Sequence, residues 1–232
     1  MTPSLEVANL EQALLECGPE RPLRRSTGAA EEVLFVLEGR GTLHLDGTAH
    51  ELEPESGAYL APGEEYELRN PGPEMLALVA VRIPEPDPPG QTDDRRGERA
   101  VVRRLADQEA HAATTEREFR IVADPSTGLR SATHFVGYIP TARAPVHFHT
   151  YDEVIYVIDG EGVLHAGGGE RPLGPGACIE LPARTLHCLE NTGEDVMRVL
   201  AVFRPAGSPA AAYYPDGTPA HADAPVLETA GP

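Results

Sequence analysis

The chain contains no lysine and no tryptophan, and its 19 basic residues are all arginine. Without a side-chain amine there is no Schiff base to a carbonyl substrate, no lysine-bound pyridoxal phosphate and no lysine-bearing phosphate loop. Cysteine is scarce. Cys17, Cys178 and Cys188 are scattered, and none forms a Cys-x-x-Cys pair, so reduced, packed thiols are expected rather than a disulfide framework. Positive charge is scarce too: 37 acidic residues against 19 basic ones leave a formal net charge of -18. That balance argues against nucleic acid and anionic membrane surfaces as partners. No apolar run approaches the roughly 20 residues of a membrane span. The first residues, Met1-Thr-Pro-Ser-Leu-Glu-Val, carry neither the basic region nor the apolar core of a signal peptide, so a cytoplasmic location is expected.

What is present is a repeat. Residues 31–84 set against 152–205, at a constant offset of 121 and without gaps, give 17 identities in 54 positions. They include Glu32/Glu153, Gly39/Gly160, Gly41/Gly162, His44/His165, Pro54/Pro175 and Asn70/Asn191. Chance would give a few, so the chain is a duplicated domain. Its 232 residues, 41% of them hydrophobic, suffice for two cores of about 100 residues each. Alternation at 131–139, 153–158, 163–165, 178–181 and 196–203, punctuated by turns such as Asp159-Gly160, indicates short strands suited to a double-sheet jelly roll.

One stretch carries chemistry. In His147-Phe148-His149-Thr150-Tyr151-Asp152-Glu153, the residues His147, His149 and Glu153 are separated by even numbers. On extended chain they face one side. His187, from a separate strand, would complete a set of three imidazoles and one carboxylate. The spacing His147-x-His149-x3-Glu153-x6-Gly160 resembles the first cupin motif, and Gly176-x5-Pro182-x4-His187-x3-Asn191 resembles the second. Two turn glycines of that pattern are replaced, by Thr141 and Arg184. With the repeat, the resemblance covers nearly the whole chain and implies a bicupin. The fold class it implies is all-β, two tandem double-stranded β-helix (jelly-roll) barrels. The metal ligands it implies are His147, His149, Glu153 and His187. Glu153 is also the one catalytic candidate.

The domain boundaries expected from this are an N-terminal barrel over 1–84, a Pro-rich linker over 85–100, a metal-binding barrel over 101–205 and an Ala/Pro-rich tail over 206–232. The N-terminal copy has Ser26, Gly28 and Tyr66 where the other has its histidines, and keeps Glu32 alone. One carboxylate and one phenol do not hold a transition ion tightly. This copy is expected to be metal-free and to cover a face of the other barrel. Residues 9–16 have helical spacing and predict a short surface helix; 105–118 is compatible with helix or loop. The piece Ala212-Tyr-Tyr-Pro-Asp-Gly217 is expected to dock on the barrel, and the last dozen residues to be disordered.

The ligand set suits one divalent transition metal per chain (Fe, Mn, Ni, Co, Cu or Zn) without selecting among them. About two positions of a six-coordinate ion would stay open for water, oxygen or substrate. Ile155 and Val157 share the face of Glu153 and predict a partly apolar pocket. Tyr151, Arg143 and Arg184 flank the ligands and read as rim residues. His165 recurs as His44 in the copy without ligands and reads as a fold residue; His134 lies outside the motif. Three functions remain open: a dioxygenase-type oxidoreductase, as in flavonol-cleaving bicupins; a non-redox metal isomerase, cyclase or decarboxylase; and a binding protein without turnover. Family analogy ranks the first highest. A small-molecule substrate is expected, with the chain as a monomer (a pseudo-dimer) or a homodimer.

Overall fold

In the computed structural model, residues 4–7, 9–19, 21–86, 99–113 and 116–227 are described. The first half supplies β1 (Ser4–Val7), β2 (Leu10–Cys17), β3 (Leu23–Ser26), β4 (Glu31–Glu38), β5 (Gly41–Leu45), β6 (Thr48–Leu52), β7 (Ser56–Leu60), β8 (Glu65–Arg69) and β9 (Leu76–Ile83). The second supplies β10 (Val102–Arg104), β11 (His111–Ala112), β12 (Glu118–Ala123), β13 (Thr133–Ile139), β14 (Asp152–Asp159), β15 (Gly162–Ala166), β16 (Gly169–Leu173), β17 (Cys178–Leu181), β18 (His187–Asn191) and β19 (Met197–Arg204). The helical pieces among the described residues are two single turns, Leu105–Asp107 and Pro125–Thr127. No described helix is long and apolar enough to cross a membrane.

Each barrel is two antiparallel sheets face to face. The first has the order β1-β2-β9-β4-β7-β10 over β3-β8-β5-β6, and the second β11-β12-β13-β19-β14-β17 over β16-β15-β18. The offset of 121 maps β4, β5, β6 and β9 onto β14, β15, β16 and β19 residue for residue. Even the irregularity recurs: the ladder slips between Val36 and Glu38 and again between Val157 and Asp159. The turn that follows needs glycine in both copies. Gly39 and Gly160 have φ of 80° and 85°, and a Cβ on Gly160 would sit 2.6 Å from Met197 Cα.

The apolar runs of β4 and β14 are buried on both faces for a reason visible in the packing. Leu34 and Val36 point into the first barrel, Ile155 and Val157 into the second. Their neighbours Val33, Phe35 and Val154 point outward into a third core shared by the two barrels, with Val79, Val81, Val136, Leu200 and Val202. Two antiparallel sheets stacked back to back thus remove the usual apolar-in, polar-out alternation. Burial of Phe35 at such a junction stabilises by about 1.5–3 kcal/mol.

Two expectations change. Residues 9–16 are not helical: all but Asn9 fall in β2, paired with β1 on one side and β9 on the other. The helical spacing of Leu10, Ala13, Leu14 and Cys17 loses to two ladders of backbone hydrogen bonds, and the buried Gln12 masks the strand period. The open segment 105–118 holds one helical turn and then a hairpin of β11 and β12, closed by Ala113 N donating to Arg117 O (2.8 Å). β10, which follows the linker, pairs with β7 and finishes the first sheet. Most of the linker, 87–98, and the end of the tail, 228–232, lie outside the described residues.

Candidate metal centre

His147 N donates to His187 O (3.0 Å) and His187 N to His147 O (2.9 Å), forming one antiparallel bridge. Such a pair sets both side chains on one face. His149, two residues on, returns to that face. The ring centroids lie 4.6 Å apart for His147 and His187, 5.0 Å for His147 and His149, and 5.4 Å for His149 and His187. Their ligand nitrogens lie within 4.8 Å of one another, in a group that could hold a metal ion.

Each ring is fixed from behind. The Nδ1 atoms of His147, His149 and His187 contact the carbonyls of Pro145 (2.9 Å), Ala211 (2.8 Å) and Thr185 (2.9 Å). A carbonyl can only accept, so each Nδ1 carries the proton and each Nε2 lone pair is free. Burial lowers all three imidazoles, His149 to about 3 and His187 to about 4. They are therefore neutral at physiological pH, the state a metal ligand needs. Tyr151 stacks on His149 at 4.6 Å and on Phe203 at 3.8 Å. It is a buried brace and not the rim residue expected.

Glu153 lines the same cavity but is not part of the three-histidine group. His147, His149 and Glu153 all line this cavity, as the even spacing predicts, although the chain bends at Thr150 and Tyr151 before β14 begins. The Glu153 carboxyl is 5% exposed, and among the described residues no donor is bonded to it. Burial pushes it up to about 8. A buried carboxyl without a partner, facing three free imidazole lone pairs, fits a site meant to receive a cation.

The cavity measures about 90 Å³. Phe119, Phe135, Ile155, Leu189 and Val199 form its apolar wall. Val157 lies deeper, in the barrel core. Pro209, Ala210 and Ala212 close one side. They belong to the tail, which docks as expected: Phe148 and Tyr213 exchange backbone hydrogen bonds at 2.9 Å, their rings stack at 5.5 Å, and the Tyr213 hydroxyl donates to Pro225 O (2.8 Å). Two contributions to the site have no sequence signal. One is the Ala211 carbonyl behind His149, a backbone group that any residue could supply. The other is Arg117, in the turn between β11 and β12.

The remaining candidates lie elsewhere. Arg143 faces Glu190 at 4.0 Å. Arg184 sits over Phe148 and takes φ of 65°, as its counterpart Gly63 takes 86°; the turn survives the replacement of glycine. Thr141 donates its hydroxyl to Gly193 O (2.7 Å). His165 contacts Glu190 at 2.7 Å. His134 is buried between the barrels, edge-on to Phe35. Cys178 and Cys188 do not line the cavity. In the first barrel the equivalent place is filled by the protein itself. Arg25 Nη2 donates to Glu32 Oε1 (2.7 Å), Arg25 Nε to the Tyr66 hydroxyl (2.9 Å), and that hydroxyl to Glu32 Oε2 (3.0 Å).

Comparison with known proteins agrees with this architecture. Over 80 residues the chain is 30% identical to an L-ectoine synthase from Bordetella petrii, spanning 34% of this chain and 59% of that protein. The structure of AerE from Microcystis aeruginosa superimposes with a TM-score of 0.72 at 14% identity, covering 88% of this chain and 91% of that one. A variant of oxalate decarboxylase from Bacillus subtilis superimposes at 0.66 and 16%, covering 90% and 72%. At such identities the structural likeness shows the fold. Residues 15–82 and 134–203 each match the family model described as Cupin domain, more than half the chain, and the protein is a two-domain member of the cupin family.

Proposed function

We propose that this cupin is a metal-dependent enzyme acting on a small molecule. In this reading His147, His149 and His187 hold one divalent transition ion, and Glu153 serves as fourth ligand or as the acid–base group beside it. The observation that carries it is the convergence of three imidazoles, each with Nδ1 tied to a carbonyl and Nε2 free. Bound there, the ion would supply Lewis-acid polarisation or electron transfer. With Glu153 set back, up to three of six coordination positions stay open, and two if it moves in. That is room for a chelating substrate and a second small reactant together, which favours a dioxygenase-type oxidoreductase. The apolar wall orients the substrate and excludes water, while Glu153 holds a proton at its carboxyl for transfer.

Size narrows the substrate. An apolar cavity of about 150 Å³ takes up benzene, and this one is about 90 Å³. A three-ring flavonol would extend beyond it; a compound of a few heavy atoms fits inside. A second reading, a non-redox isomerase, cyclase or decarboxylase, is supported by the protonated Glu153 and by the decarboxylase among the structural relatives. Oxygen uptake by metal-loaded protein, measured over a panel of small enolisable carbonyl compounds, separates the two. Uptake matching substrate loss is expected. Turnover that proceeds equally under argon would replace the first reading by the second.

A further inference from the structure

Arg117 is the cavity residue that the metal site does not use. It stands in the turn between β11 and β12, one residue before β12, and lines the cavity with Phe119. Its side chain is half-buried, and its one acceptor among the described residues is a backbone carbonyl, Leu189 O. No carboxylate pairs with it there, in a chain that carries 37 acidic residues. Glu118, next along, also reaches the lining but is exposed and makes no ion pair with it. Arg25, Arg99 and Arg198 are matched by Glu32, Glu64 and Asp159, whereas Arg120, outside the cavity, meets three backbone carbonyls and Arg117 meets one. A guanidinium offers five donors in a planar fork, and leaving most of them unmatched in a partly desolvated pocket is unfavourable.

The charge around it is one-sided. Arg117 lines one cavity with His147, His149 and His187. Neutral imidazoles, a divalent ion and one guanidinium outweigh Glu153 whether or not its carboxyl keeps its proton. The pocket is a positive spot on a strongly acidic protein, complementary to a small anion.

We infer that Arg117 anchors the carboxylate of a small carboxylic acid whose apolar body rests against Phe135, Ile155 and Val199. This names the substrate class of the pocket and rests on the functional reading above. A fork-to-carboxylate bond is charge-assisted and geometrically selective. The apolar wall and the cavity volume limit the body to a few carbons.

The test is calorimetric titration of the metal-loaded protein with butyrate and with its uncharged counterpart butyramide. The wild type is expected to prefer butyrate by about tenfold or more. Arg117→Gln should abolish the preference while metal content and melting temperature hold, and Arg117→Lys should restore part of it. Equal binding of the two probes, no binding of either at tens of millimolar, or a preference that survives Arg117→Gln would overturn the assignment. Repeating the titration on metal-stripped protein keeps the two proposals apart. An Arg117-dependent preference in a protein that binds no transition ion would retain the anchor and remove the metal enzyme.

Discussion

Glu153 and the histidines pull the stability of the metal-stripped protein in opposite directions with pH. Burial holds His134 and His149 at about 3 and His187 at about 4, and lowers His147 as well. Below the ordinary imidazole value of about 6.5 the unfolded chain binds protons that the folded one refuses, so stability falls as pH falls. Glu153 has a folded-state value of about 8. Above the ordinary carboxyl range the folded chain keeps a proton that the unfolded chain releases, so stability falls as pH rises toward 8. Four histidines outweigh one carboxyl below about 7, and the Glu153 contribution prevails only above that. Urea unfolding of chelator-treated protein is expected to show a maximum near pH 7, and Glu153→Gln to gain about 2 kcal/mol on the wild type between pH 6.5 and 8. Glu153→Gln should flatten the alkaline side, and a decline of the same size in that variant would refute the assignment. His147 and His149 were legible because parity is a property of spacing, and His187 through the likeness of its segment to the second cupin motif. The distance of Glu153 from the three-histidine group was not, because bends at Thr150 and Tyr151 intervene. Arg117 was not legible either, since it lies outside the segments aligned by the repeat.

The tail is the element whose role exceeds what its composition announces. An Ala/Pro-rich stretch reads as a loose end, yet Tyr213 is 1% exposed and the Ala211 carbonyl fixes His149. Phe148 explains the docking: it lies between two ligands, so its own side chain faces away from them and needs cover. Tyr213 and Ala224 provide it. Groups that hold a ligand ring from behind contribute about 10–100-fold to metal affinity. Ending the chain at residue 206 is therefore expected to weaken metal binding by that factor while the far-ultraviolet spectrum stays that of a β-protein. Titration with a competing chelator measures it, and affinity within twofold of the full chain would show that His149 needs no such support. The same logic of long-range partners explains β2. Helical spacing is local information, and the strands that recruit it, β1 and β9, lie on both sides of it in the sheet.

At the scale of the molecule, one barrel fills with Arg25 the place where the other gathers three histidines, and the two share an apolar core. The duplication was readable from 17 identities, and the two-sided apolar runs of β4 and β14 carry the trace of the shared core. The polar seams were not readable. Glu31, fully buried in the first barrel, accepts from Arg130 N (3.0 Å) and Ser131 N (3.2 Å) of the second. Arg198 of the second bridges its own Asp159 to Glu55 of the first. With an apolar core and these bonds in common, neither barrel should melt alone. Arg25→Ala tests this away from the metal. It leaves Glu32 buried and short of its cation, a change that costs about 3 kcal/mol. The expected result is one calorimetric transition at lower temperature, covering both barrels, with metal content at 25 °C still one ion per chain. A metal-loaded barrel that melts at its original temperature, beside an earlier transition of the first, would mean that the shared core does not couple them.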